Sequence, residues 1–356
     1  MELLILDTNF ETVAIVDTFE SIIWTDRYIG FGDFEVYTTM DYEAIQYFQK
    51  KYYLWSKESN RVMIIEDREI ISDFEDGSRL KITGRSLESI LDRRVIWYPT
   101  VISGSLQNSI FKLINENVIN PSDIRRKISN FVFLPSEDVK ITSLTYEAQY
   151  FGENLYDSIL DICKQANIGF RIILDNANNF VFELYSGEDR SYDQEVNPYV
   201  VFSPNFDNLI STNYLDSNKN SKTISLVIGE NIDDTDVKKT AIAIYNNVSG
   251  LERRETTTDA SSIRSKVDDV VLSDSEYTAQ LEQKGLEDLA TKTNIESFEG
   301  HVDTSKMYIY DVDFFMGDIV QISNEYGIET KTRLTEIVRS HSTSGIETVP
   351  TFSIVE

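Results

Sequence analysis

The sequence holds a single cysteine, Cys163, in 356 residues. No intrachain disulfide can form, which fits a chain folded in a reducing cytoplasm. Histidine is nearly as scarce, with His301 and His341 alone. An isolated cysteine and no histidine pair at ligand spacing exclude a zinc site of the Cys/His type. Neither histidine has a nucleophile motif such as Gly-x-Ser-x-Gly nearby, so each reads as a solvated residue at a strand end. Glycine (15) and proline (6) are few, which excludes collagen-like and low-complexity tracts. There is no Walker loop and no Gly-x-Gly-x-x-Gly fingerprint. No stretch approaches the roughly 20 apolar residues of a membrane span. The opening Met1-Glu2-Leu3-Leu4-Ile5-Leu6-Asp7 is acidic and only briefly apolar, so it reads as a strand and not as an export signal. Positive charge is also short: 33 Lys+Arg face 60 Asp+Glu, a net charge of −27. Duplex DNA is held by Lys and Arg that neutralise phosphates, and a surface this acidic repels nucleic acid and anionic membranes.

Apolar mass is plentiful. Hydrophobic residues make up 41% and aromatics 12%, with 19 Tyr and 19 Phe. Acidic disordered chains lack such residues, so this chain buries large cores, and its length suits about two or three domains. Residues 1–40 carry short strand-like runs: Leu3–Leu6, Glu11–Val16, Ser21–Tyr28 and Gly32–Thr38. Asp41 is placed to cap a short helix with Ile45 and Phe48 facing inward. Tyr52–Trp55, Val62–Glu66, Ile70–Phe74 and Leu80–Thr83 read as further strands, the last two joined by a turn at Asp76-Gly77. Ser86 and Ser105 each precede a helical pattern, through Leu87, Ile90 and Leu91 and through Leu106, Ile110, Leu113 and Ile114.

The clearest helix spans 153–167. Leu155, Ile159, Ile162, Cys163 and Ala166 share one face, and Gly169 is a natural stop. A hairpin over 170–185 follows, turning at Asp175-Asn176-Ala177-Asn178-Asn179. Strands resume at Tyr199–Phe202, Asn208–Tyr214 and Lys222–Gly229. Residues 230–300 are acidic and poor in aromatics, with a helix near 275–292. The end of the chain returns to strands at Met307–Val312, Asp318–Ser323, Arg333–Arg339 and Ile346–Phe352.

Candidate chemistry is sparse. Cys163 lies on the apolar stripe of its helix and reads as a core thiol. Asp233-Asp234-Thr235-Asp236 could hold a hard cation but lacks the glycine and the terminal glutamate of a helix–loop–helix calcium site, so a solvated acidic loop is favoured. A carboxylate pair suited to glycoside hydrolysis is always available among so many acids, and abundance is no evidence for it. Arg125-Arg126-Lys127 and Arg253-Arg254 are the tight basic clusters, read as exposed charge with an acidic partner as the alternative.

One internal pairing stands out. Gly32-Asp33-Phe34-Glu35-Val36 near the start is echoed by Gly317-Asp318-Ile319-Val320-Gln321 near the end, each followed later by a strand, a glycine turn (Gly77, Gly345) and a strand. The expected fold class is therefore α+β and β-rich: two related small β-barrels, one from each end of the chain, plus peripheral α+β modules. The expected division is 1–97 for the first barrel, 98–198 for an α+β module, 199–229 with 301–356 for the second barrel, and 230–300 for an acidic, partly helical insertion.

These ordered residues resemble a known family. Ser21-Ile22-Ile23-Trp24-Thr25-Asp26-Arg27-Tyr28 with Gly32-Asp33-Phe34-Glu35, the stretch from Asp76-Gly77 through Gly84-Arg85-Ser86 to Arg94, and Asp313–Val320 with Arg333–Val338 are similar to phage tail (baseplate) hub proteins. Such hubs occur in contractile tails, phage-tail-like bacteriocins and type VI secretion spikes. The likeness also takes in the helix and hairpin of 153–185 and is weak across 230–300. It implies a non-enzymatic structural protein without cofactor or metal. Three copies would form a ring of six barrels that joins a hexameric tail tube to a trimeric spike or tip, with wedge or baseplate proteins as neighbours, DNA passing through the lumen unbound, and no membrane partner. It places the protein in the virion tail, assembled in the bacterial cytoplasm. Trp24, Tyr28, Gly32, Asp33, Phe34, Gly77, Gly84, Arg85, Gly317, Asp318 and Gly345 are the implied assembly residues, with no catalytic residue. The alternatives are a cell-wall-degrading tail hydrolase and a carbohydrate-binding β protein.

Overall fold

Alternating apolar residues dominate both ends of the chain, and both ends form strands. The computed structural model describes residues 1–73, 77–231, 237–267, 270–302, 307–327, 329–342 and 345–355. Asp76 of the expected turn and the acidic run Asp233-Asp234-Thr235-Asp236 lie outside the described residues. The chain divides into two compact units: Met1–Ser89, Gly169–Leu215 and Ser297–Glu356 form one, and Ile90–Ile168 with Asp216–Glu296 form the other.

The first unit is built on a 13-stranded sheet. Its N-terminal strands pair antiparallel in the order Ser21–Arg27, Asp33–Thr39, Gly77–Ser86, Val62–Asp73, Tyr53–Ser56, Leu3–Leu6, Thr12–Val16. Period-two alternation sends Phe34, Val36, Leu80 and Ile82 to one face, where they meet Leu3, Ile5, Trp24 and Leu54 in a core. Asp41 caps helix Tyr42–Tyr47 by accepting from the Ala44 N–H. The C-terminal strand Glu329–Ser342 is long enough to serve two neighbours on one side. Its first residues pair with Ile319–Ser323 and its later ones with Ser21–Arg27, while Gly345–Ile354 lines its other side. A second core forms here from Phe202, Phe314, Val320, Leu334 and Phe352, and Tyr28 joins it. The β-rich α+β class is thus what the structure shows, and the two terminal strand sets, each with its own core, run on as one sheet.

Hairpin Gly169–Leu174/Phe180–Tyr185 turns at Asp175, whose carboxylate accepts from the Ala177 and Asn179 N–H groups. It belongs to this β-rich unit. The compact units therefore cut the chain at 89/90 and 168/169, where composition suggested 97/98 and 198/199.

In the second unit, helix Leu155–Ala166 buries Leu155, Ile159, Ile162 and Cys163. Burial pushes the Cys163 thiol far up, as suits an inert core sulfur. Asn154 caps the helix, and it stops at Asn167 in the left-handed conformation (φ 53°), before the expected Gly169. Asparagine tolerates that conformation because its short polar side chain bonds locally. Helix Asp274–Ala290 starts with a capping box between Ser273 and Glu276. It lays Tyr277, Leu281 and Leu289 on Val227, Ala241 and Ala243 of the sheet formed by Lys238–Ile244, Ile224–Asn231 and Glu255–Asp259. Gly285 permits this approach, since a Cβ there would stand 2.4 Å from that of Ala243. The acidic 230–300 stretch thus contributes to a real core.

Some local expectations change. Leu87–Arg93 is helical as expected but as a 3₁₀ helix, and Ser86 ends the strand before it with its hydroxyl accepting from the Gly32 N–H. Ser105 precedes helix Leu106–Ile114 but makes no capping bond. Met307–Val312 is not a strand: Tyr308 and Asp311 take φ of 60° and 65°, and the Ile309 N–H is drawn to the Asp313 carboxylate. His341 stands near the end of strand Glu329–Ser342, partly exposed, with its ring edge-on to Phe19. Arg126 is buried, donating to Val95 O and Asn117 Oδ1 with its guanidinium 4.2 Å from the Trp97 ring centroid, so that cluster is not simply exposed charge.

Leu281→Ala should cost about 2–5 kcal/mol, read as a lowered urea midpoint followed by a probe in the second unit.

Candidate functional site

Strand Ser21–Arg27 is the hinge of the first unit. One edge pairs with Asp33–Thr39 and the other with Glu329–Ser342, in the register Trp24↔Arg339, Asp26↔Ile337 and Arg27↔Glu336. Ile22, Trp24 and Asp26 share the buried face. Asp26, 3% exposed, accepts from Trp24 Nε1 at 3.1 Å, Ser59 Oγ at 2.9 Å and Arg339 at 2.7 Å. Burial works against the Arg339 charge, but Asp26 outweighs it and holds the guanidinium protonated. Arg27 forms ion pairs with Glu336 at 2.6 Å and with Asp33.

A second buried pair lies beside it. Arg61 (2% exposed) binds Glu88 (0%), and Arg61 also donates to Arg27 O at 2.9 Å and Tyr185 Oη at 3.3 Å. Glu88 further accepts from the Ser86 hydroxyl and from the Ile172 N–H at 2.9 Å. Burial disfavours the Arg61 charge, yet Glu88 carries it above the ordinary arginine range, and burial pushes the Tyr185 phenol up. Three separate chain segments are tied through one carboxylate.

The C-terminal Gly-Asp forms a third centre. Asp318 accepts from Arg190 Nε at 2.7 Å, the Glu188 N–H at 2.7 Å and the Phe315 N–H at 3.0 Å. Gly317 has φ +91°, and a Cβ there would fall 2.3 Å from the Tyr28 ring. The same ring meets Tyr185 edge-on at 5.3 Å and lies under Arg333 at 5.3 Å.

The sequence matches the family described as Siphovirus ReqiPepy6 Gp37-like protein over residues 2–352. The chain belongs to that family. Solved structures share the fold end to end. The tail protein from Neisseria meningitidis MC58 is 12% identical, with 99% of this chain and 95% of that one covered and a TM-score of 0.57. The prophage MuSo2 43 kDa tail protein from Shewanella oneidensis is 13% identical (99% and 98% covered, TM-score 0.58). Prophage tail protein gp18 from Listeria monocytogenes EGD-e is 12% identical (99% and 94%, TM-score 0.54). No curated protein matches the sequence.

In this Gp37-like chain the implied residues divide between the two strand sets and the junction where they pair. Trp24 and Phe34 fill the N-terminal core and Tyr28 the C-terminal one. Gly32 binds Ser86, Asp33 pairs with Arg27, and Arg85 pairs with Glu66 at 2.7 Å over the Phe31 ring. A Cβ at Gly84 would stand 1.8 Å from Ile64 O. Gly77 and Gly345 sit apart, each opening the second strand of a hairpin with free space around it. Sequence reasoning missed Asp26, Arg61, Glu88, Arg190 and Arg339. A signal existed for Asp26, an acid two residues beyond Trp24 on the same strand face. Among the described residues no group of three His, Cys, Asp or Glu side chains could hold a metal ion.

Breaking one half of a buried pair strands its partner. Arg61→Met or Glu88→Gln alone should cost about 3–5 kcal/mol, and the Arg61→Met/Glu88→Gln double variant less than the sum. Urea titration of the four proteins closes that cycle.

Proposed function

We propose that the protein is a structural, non-enzymatic hub of a phage tail or phage-tail-like particle. The observation that carries this reading is the fold shared over 99% of the chain with three tail proteins of bacterial and prophage origin. Each chain supplies two strand sets with separate cores. Three chains would supply six, the number needed to match a hexameric tube on one face while a trimeric spike or tip sits on the other. Tyr28, Asp33 and Gly317 act where the two sets meet, Trp24, Gly32, Phe34, Gly84 and Arg85 by shaping the N-terminal set, Asp318 by anchoring the C-terminal one, and Gly77 and Gly345 by shaping hairpin ends. Wedge or baseplate proteins would contact the second unit. The net charge of −27 suits a lumen that repels the DNA backbone, so that the genome slides without sticking. The protein would reside in the virion tail after assembly in the host cytoplasm.

Mass photometry of the purified chain, alone and with its tail-tube protein, should show a species of three chains, and negative-stain images a ring. A particle of any other stoichiometry with the tube protein would overturn the hub. On a peptidoglycan zymogram no cleared band should appear, whereas clearing would establish a tail hydrolase.

A further inference from the structure

Within a strongly acidic chain, two short stretches of the second unit, 92–97 and 123–127, set five cations against two acids. The stretches are tied together. Arg94 Nη2 donates to Arg126 O at 3.0 Å, and Arg126 Nη2 donates to Val95 O at 2.6 Å and to Asn117 Oδ1 at 3.0 Å. The Arg126 guanidinium lies over the Trp97 ring, 4.2 Å from its centroid. Arg126 is buried and Arg94 half-buried, while Arg93, Arg125 and Lys127 are exposed. Large apolar side chains are exposed among them: Trp97 at 49%, Tyr98 at 60% and Ile124 at 72%.

The two inner arginines lack a counter-charge. Neither forms an ion pair among the described residues, since their donors go to carbonyl and amide oxygens. Arg94 Nε and Arg126 Nη1 are buried without a hydrogen-bond partner. Of the two acids, Asp123 is held by Arg125 at 2.7 Å and Asp92 accepts from Asn154 at 3.0 Å. Burial first, then Arg126 and Arg93, pull Arg94 below its ordinary value. Arg61 and Arg339, the other buried arginines among the described residues, are each paired with a buried carboxylate, Glu88 and Asp26. A guanidinium withdrawn from water is costly unless an acid meets it, and at Arg94 and Arg126 the fold supplies none.

We propose that this patch is a docking surface for a carboxylate-rich segment of a protein partner, which brings the negative charge that Arg94 and Arg126 lack. Carboxylates match the guanidinium fork. Tryptophan, tyrosine and arginine are the side chains that carry most of the energy of protein interfaces. Nucleic acid fits less well, because its affinity rests on many phosphate contacts in a row and Asp92 and Asp123 interrupt the patch. The chain's net charge of −27 is no obstacle, since exposed charges more than about 8 Å away are largely screened at physiological ionic strength. The surface rests on its own chemistry, and on the hub reading its partner is the tail protein placed against the second unit.

Fluorescence anisotropy of a labelled oligo-glutamate peptide, titrated with the full chain, tests this. The peptide should bind and weaken with added salt, and an oligo-glutamine of equal length should not bind. Arg94→Gln and Trp97→Ala should each weaken binding about tenfold. Arg125→Gln, at an exposed side chain, should weaken it as well and serves where Trp97→Ala fails to fold. Arg253→Gln, in the other basic cluster, should change nothing. No saturable binding up to about 1 mM chain, or binding that survives Arg94→Gln and Arg125→Gln, would overturn the surface. Tighter binding of an oligothymidylate than of oligo-glutamate would overturn it in favour of a nucleic-acid site. None of these titrations reads trimer formation, so a failed surface and a failed hub give different results.

Discussion

Asp26 and Arg339 meet across the seam where the first strands of the chain pair with the last, and the β-rich unit depends on that contact. The two residues are more than three hundred positions apart, so their approach costs loop-closure entropy that local structure does not offset. Once paired, they are out of water, and Asp26 accepts from Trp24 and Ser59 as well as from Arg339. A slip of the strand by one residue would turn Asp26 outward and leave Arg339 buried and alone. The seam is thus specified by the penalty for misalignment more than by the attraction of the pair.

Arg61–Glu88 and Asp318–Arg190 extend the same logic to the hairpin that re-enters the unit at Gly169. Glu88 reaches the Ile172 N–H, and Asp318 reaches the Glu188 N–H. A backbone donor within the hairpin and another just after it are therefore held by acids from the N-terminal and C-terminal strand sets. Tyr28 adds shape to charge: its ring fills the space that Gly317 leaves by lacking a Cβ. These contacts hold the two strand sets of the unit in fixed relation.

Much of the local structure was legible. The stripe of Ile159, Ile162 and Cys163 located its helix, Asp41 its cap, and Asp175 its hairpin turn, because each depends on neighbours a few positions away. The Gly-Asp echo of 32–33 and 317–318 pointed to two comparable strand sets. Gly317-Asp318 proved the more deeply used of the two, since Asp33 stays near the surface with Arg27. Ser86 and His341 each have a partner that local reasoning did not name. That partner is distant in sequence, Gly32 for the first and Phe19 for the second.

Composition and periodicity by themselves determined the strand-rich class, the large aromatic cores, the inert thiol and the acidity that sets the chain apart from DNA-gripping proteins. These follow from amounts of residue types and from patterns that repeat within a turn or a pleat. The tertiary structure decided that the two ends share one sheet, that hairpin 169–185 joins them, and which of the sixty acids are buried. An acid's character is set by what lies against it, and for Asp26, Glu88 and Asp318 that is a group no local pattern could name.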